Sequence, residues 1–110
     1  MKKILFVCLG NICRSPSAEA VFNALIEKNG LENELSCDSA GTAAYHAGDQ
    51  ADSRMRQFAL KRGYRLESIS RPFVPESDFN QFDFIIGMDS QNVRDLNGMA
   101  RNENDRKKYF

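Results

Sequence analysis

The chain has little of what specialised protein classes require. It carries one histidine and three cysteines in 110 residues. A single histidine makes no metal site. An odd number of cysteines at these spacings fits no secreted disulfide framework. There is no surplus of charge: fifteen Lys and Arg balance fifteen Asp and Glu. With zero net charge, nothing recruits nucleic acid or a membrane surface, and any anion site has to be local. No apolar run approaches the ~20 residues of a membrane helix. Lys2 and Lys3 precede an apolar run, but Ile4 to Val7 is too short for the core of a secretion signal. Internal repeats and low-complexity segments are also missing. These absences lead us to expect a cytoplasmic chain with reduced thiols and no metal or cofactor.

What is present is ordinary for a globular domain: 42% hydrophobic and 27% charged residues. The length suits one domain, residues 1–110, with a core that needs no staples. "KKILFVCLGN" opens with the apolar run Ile4-Leu5-Phe6-Val7, as in a strand buried on both faces of a parallel sheet. In "SPSAEAVFNALIEKNG", Ala18, Val21, Phe22, Leu25 and Ile26 recur at helical spacing. Ser15 is a good N-cap, Pro16 suits the first helical position, and Gly30 is a stop. "ELSCDSAG" reads as a second strand with Cys37 in the core, and "TAAYHAGDQ" as a loop. "DSRMRQFALKRG" reads as a helix capped by Asp52. "YRLESISRPFVPE" reads as a short strand plus loop, and "FDFIIGM" as another apolar strand. "DSQNVRDLNGMA" reads as a last helix capped by Asp89 or Ser90, and the basic "RKKYF" as a surface segment. The alternation β-α-β-α-β-β-α predicts an α/β fold, doubly wound in three layers around a mainly parallel sheet.

The loop between the first strand and first helix, "VCLGNICRSPSAE", is where such sheets bind ligands. Strand, glycine-containing loop and helix N-terminus together make a phosphate cradle. Successive backbone N–H groups, here Leu9, Gly10, Asn11, Ile12, Cys13, Arg14 and Ser15, can converge on an anion beside the positive end of the helix dipole. Cys8 lies at the strand end, where its sulfur faces the cradle and the anion-stabilising field favours the nucleophilic thiolate. Arg14 can bind two phosphate oxygens with its planar fork. Ser15 can donate to the sulfur. Asn11 tolerates a left-handed backbone and can hold the loop in shape. A cysteine at a strand end is commonly no more than a small hydrophobe. The flanking strand, the Ser-Pro helix start and the Gly and Asn inside the loop favour the anion-binding thiol.

On these residues the chain resembles the low-molecular-weight protein tyrosine phosphatases. "VCLGNICRSPSAE" is similar to their active-site loop, and "DSAGT" and "FDFIIGMDSQNVRDLN" follow in matching order. The resemblance runs from Lys2 to about Arg106. It implies a flavodoxin-like sheet and hydrolysis of aryl phosphates, phosphotyrosine among them, without a cofactor. Cys8 would form a cysteinyl-phosphate, stabilised by Arg14 and the loop amides. It also implies a hydrogen bond from Ser39 to Asn11, Tyr45 lining the substrate cleft, and a redox role for Cys13 beside the nucleophile. His46 is expected to be a plain surface residue, and Asp89 a helix cap rather than a chemical group.

The sequence departs from the family at two places. These residues contain no Asp-Pro, the family's general-acid motif, and the family's final strand and helix have no counterpart here. The expectation is a C-terminally incomplete domain with weakened general acid catalysis, worth typically ~10²–10⁴-fold. Its uncovered edge and apolar surface would also favour self-association. Ser68 stands where the family often carries a histidine, three residues before Arg71. Two other functions share the loop. Arsenate reductase needs two further relay cysteines and only Cys37 is left; a non-catalytic phosphate-binding module would tolerate the missing acid.

Overall fold

The computed structural model describes residues Met1–Phe110. Strand β1 (Lys2–Cys8) is central, with β2 (Leu35–Gly41) on one side and β3 (Phe84–Gly87) on the other, all parallel. Helix α1 (Arg14–Lys28) joins β1 to β2. Helices α2 (Ser53–Lys61) and α3 (Pro75–Gln81) lie between β2 and β3, and α4 (Ser90–Met99) and the short α5 (Glu103–Arg106) follow β3. The expected α/β architecture with a parallel sheet is therefore what the chain adopts.

The continuous apolar run of β1 serves two cores at once. Successive side chains leave a strand on opposite faces. Leu5 and Val7 join Ala40, Phe73, Phe79, Phe82, Ile85 and Leu96 in one buried cluster. Phe73 and Phe79 meet edge to face within it, their centroids 5.0 Å apart. Ile4 and Phe6 face α1, where Phe6 meets Phe22 with centroids 5.7 Å apart and Ile26 is buried. Each fully buried aliphatic side chain contributes about 1.5–3 kcal/mol. The sheet thus anchors β1 from both sides, and with it the position of Cys8.

Three elements differ from the sequence expectation. Residues 64–74 form no strand, only isolated bridges, Gln50 with Ile69 and Gly41 with Pro72. The prolines and polar residues there leave no alternating face to bury. "PESDFNQ" is a helix, started by Pro75 at its first turn with Glu76 and Asp78 near the positive end of its dipole. The tail is not a plain surface segment: Tyr109 bridges to Ile85, and Lys108 and Phe110 exchange backbone hydrogen bonds with β3.

Candidate active site

The loop after β1 is held by its carbonyls. Thr42 N–H donates to Cys8 O at 2.9 Å and Ala43 N–H to Leu9 O at 3.0 Å. Ser70 Oγ donates to Gly10 O at 2.8 Å. Asp52 N–H donates to Ile12 O at 2.7 Å, and the Ser17 hydroxyl to Cys13 O at 2.7 Å. With these carbonyls drawn outward, the amides turn the other way. The N–H groups of Leu9, Gly10, Ile12, Cys13, Arg14 and Ser15 find no acceptor in the chain. A ring of unspent backbone donors at the start of a fifteen-residue helix is an anion cradle.

Two local features let the loop take this shape. Asn11 sits at φ 57°, the only non-glycine residue at positive φ. Its side chain fixes the strained turn from both ends: Nδ2 donates to Ser15 Oγ at 2.8 Å, and Oδ1 accepts from Arg71 N–H at 3.0 Å. Gly41, at the end of β2, lets that strand pass beside the loop. A Cβ there would fall 2.8 Å from Leu9 O.

Cys8 is buried at the floor. Its Sγ lies 3.0 Å from Ser15 Oγ and 3.3 Å from the Asn11 amide nitrogen. Asn11 already donates to the Ser15 oxygen, so the Ser15 proton points to the sulfur. Two donors converge on one sulfur, an arrangement suited to an anionic nucleophile. This role for Ser15 replaces the expected N-cap. Helix α1 begins two residues earlier, with Cys13 as N-cap and no side-chain capping bond.

Arg14 is not folded over the sulfur. Its guanidinium pairs with Asp89 at the mouth, both side chains nearly half exposed. Asp89 thus does more than cap: Oδ1 accepts from Asn92 N–H in a capping box while Oδ2 holds Arg14. The guanidinium, and then the Asn92 amide, hold the Asp89 carboxyl below the usual carboxylate range.

Ser39 also differs from expectation. Its hydroxyl donates to Glu19, not to Asn11. Burial pushes the Glu19 carboxyl above its ordinary value, with the Ser39 and Ser68 hydroxyls pulling it back. The task assigned to Ser39 falls to Ser70 and the Arg71 amide, which grip Gly10 and Asn11. Neither contact was found from sequence: each joins residues sixty positions apart, and the Arg71 amide leaves no residue-type signal. The Arg71 guanidinium spans Asp38 and Asp78.

Cys8, Leu9, Gly10, Ile12, Cys13, Arg14, Tyr45 and His46 line one cavity of about 250 Å³. Tyr45 in that lining is 78% exposed. His46, its side chain 43% exposed, lies beside Gly10 in the same lining. All three cysteines are free thiols. Burial, then Asp52 and Cys8, push the Cys13 thiol up. Burial, then Glu19 and Asp38, push Cys37 up to about 12, and its thiol donates to Asn23 Oδ1 at 3.3 Å. Cys37 is half-buried rather than core. A larger, polar groove of about 500 Å³ lies between α1 and residues 63–68. No cysteine and no ring of free amides lines it.

The low molecular weight phosphotyrosine protein phosphatase family matches residues 3–110. The chain belongs to this family. It is 48% identical over 96 residues to the low molecular weight phosphotyrosine protein phosphatase of Schizosaccharomyces pombe, covering 86% of this chain and 61% of that protein. It is 42% identical over 100 residues to a low molecular weight protein-tyrosine-phosphatase of Bacillus subtilis, covering 91% of this chain and 64% of that protein. Among solved structures, a protein tyrosine phosphatase from Entamoeba histolytica superposes with a TM-score of 0.94 at 51% identity. That match covers all of this chain and 69% of that one. The chain thus spans about 60% of the length of the curated relatives it matches.

Proposed function

We propose that the chain carries the nucleophilic site of a protein tyrosine phosphatase. The observation that carries this reading is the Cys8 sulfur, which accepts from Ser15 and Asn11 on the floor of a ring of free amides. Cys8 Sγ attacks phosphorus, the P–O ester bond breaks, and the aryl oxygen leaves with the bonding pair. The loop amides take up the equatorial oxygens, where charge is held through the transfer. Arg14 leaves Asp89 to join them. Water then attacks the cysteinyl-phosphate and releases phosphate and the thiolate, with Ser15 donating to the departing sulfur.

No Asp-Pro acid lies within these residues, so a leaving group that departs without a proton is favoured. Nitrophenyl phosphate should turn over faster than phosphotyrosine. Arsenate reduction fits less well, because Cys37 is hydrogen-bonded to Asn23 and held as a thiol. Cys13, at the N-cap beside the nucleophile, is suited to capture an oxidised Cys8 as a reversible disulfide. Such thiol chemistry belongs in a reducing compartment, which supports a cytoplasmic location. No helix is long and apolar enough to cross a membrane.

The test is hydrolysis of nitrophenyl phosphate by the chain beside Cys8→Ser, with mass spectrometry of acid-quenched protein. Turnover and a phosphorylated Cys8 in the parent, both lost in Cys8→Ser, are the expected result. Equal rates in the two proteins would overturn the reading.

A further inference from the structure

Helix α2 carries charge that nothing in the chain answers. Between Ser53 and Arg65 the sequence places five cations, Arg54, Arg56, Lys61, Arg62 and Arg65, and no acid. None of the five forms an ion pair, although the chain as a whole is neutral. Arg56 donates only to a backbone carbonyl, Ala51 O, at 2.9 Å. Lys61 stands over the Phe58 ring, its Nζ 5.5 Å from the centroid. The helix also buries none of its residues. Phe58 is 61% exposed and Leu60 59%.

The apolar side chains of α2 border a groove of about 340 Å³. Helix α1 supplies Val21, α2 supplies Met55, Phe58 and Ala59, and the segment beyond α2 supplies Tyr64 and Leu66. Leu66 is buried, so the groove has a floor. Arg62 lines it and no acid does. A second groove, along the other side of Tyr64 and Leu66, carries Arg56 and Arg65 against a single acid, Glu67. Both ends of α2 are fixed by backbone groups. Asp52 N–H donates to Ile12 O, the Asp52 carboxylate accepts from Met55 N–H, and Tyr64 N–H donates to Ala59 O at 2.9 Å.

We propose that the groove between α1 and α2 docks an acidic segment of a partner protein. An apolar side chain of that segment seats against Phe58 and Leu66, and its carboxylates meet Arg62 and the exposed cations beside it. The chemistry of the occupant follows from complementarity. Unpaired guanidinium groups select Asp and Glu, and apolar walls select a leucine or an aromatic anchor. An anionic bilayer would answer the same charge, but its flat surface does not reach a floor at Leu66. A second copy, docked through the same face, would set five cations against five. The groove shares no lining residue with the Cys8 cavity, so the proposal stands apart from the phosphatase reading.

The experiment selects binders of the parent chain from a displayed library of random peptides. Each recovered peptide is then titrated by fluorescence anisotropy against the parent, Phe58→Asp and Arg62→Glu. Both positions are exposed, and circular dichroism with the thermal midpoint checks that each variant keeps the fold. The expected peptides carry Asp and Glu around a Leu, Phe or Trp. Either variant should lower their affinity about tenfold, as for loss of one interface anchor or charge partner. Raising the salt should weaken binding severalfold, because the pairs are exposed. Inorganic phosphate at matched ionic strength should leave it unchanged, since the cradle takes no part. Recovered peptides without acids would overturn the proposal, as would acidic ones that bind both variants like the parent or are displaced by phosphate. A library that yields no binder would overturn it too. Two further measurements separate the other occupants. Sedimentation with vesicles of phosphatidylcholine and phosphatidylserine that is lost in Phe58→Asp would assign the face to a membrane. A dimer of the parent in sedimentation equilibrium, absent in Phe58→Asp, would assign it to a second copy. Either result would overturn the peptide reading.

Discussion

Arg14 and Arg71 both serve the Cys8 loop, and the protein holds them in opposite ways. Arg71 is fixed. Its guanidinium bonds Asp38 and Asp78, Asp78 is 4% exposed, and its backbone amide reaches Asn11 while its carbonyl accepts from Gly41. Arg14 has one partner, Asp89, and both side chains are open to water. A half-exposed pair of this kind contributes little to stability, and its guanidinium can change partners at small cost. One arginine is built into the loop's support; the other, on the proposed reading, is free to turn to a ligand.

This division of labour predicts a separation of stability from activity. The largest effect is expected from Arg14→Ala: about 10²–10³-fold slower nitrophenyl phosphate hydrolysis, as for loss of one transition-state donor. Its unfolding free energy in urea should stay within about 0.5 kcal/mol of the parent. Arg71→Ala should do the reverse in urea, losing about 2–3 kcal/mol because the nearly buried Asp78 loses its counter-charge. If Arg14→Ala unfolds early and Arg71→Ala does not, the comparison is wrong.

The smallest effect sharpens it with an acid that has no cation of its own. Glu19 has a folded-state pKa raised by burial, so the native state binds its proton more tightly than the unfolded chain does. The stability it contributes is fully present below the ordinary glutamate range and is lost as pH rises through the folded value. Glu19→Gln should therefore flatten the fall in thermal midpoint above that range while leaving the acid side unchanged. A steeper fall would show that Ser39 and Ser68 favour the ionised form more than burial opposes it.

The cradle was legible because its chemistry is local. Cys8, Gly10, Asn11, Arg14 and Ser15 fall within eight residues, between an apolar run and a Ser-Pro start. β1 and β3 were legible as short apolar runs, and β2 as Leu35 and Cys37 alternating with polar neighbours before Gly41. What could not be read depends on distant pairs. Ser70 and Gly10 are sixty residues apart, as are Arg71 and Asn11. The Arg14–Asp89 pair spans seventy-five. Helix α3 was hidden by Pro72 and Pro75, which read as loop punctuation although Pro75 opens a helix. The approach of His46 to Gly10 likewise spans thirty-six residues and leaves no local signal.

The outward-drawn carbonyls make the site a late product of folding. Residues near 42, 52 and 70 must all be docked before the amides can face one way, and closing those long loops carries an entropic cost that local contacts cannot meet. An unfolded or half-docked chain therefore presents no anion site at all. Any oxyanion that fills the cradle binds the native state alone and draws the folding equilibrium toward it by mass action. On the proposed reading a phosphate buffer is a stabilising ligand, and thermal midpoints taken in phosphate and in an amine buffer belong to two different equilibria.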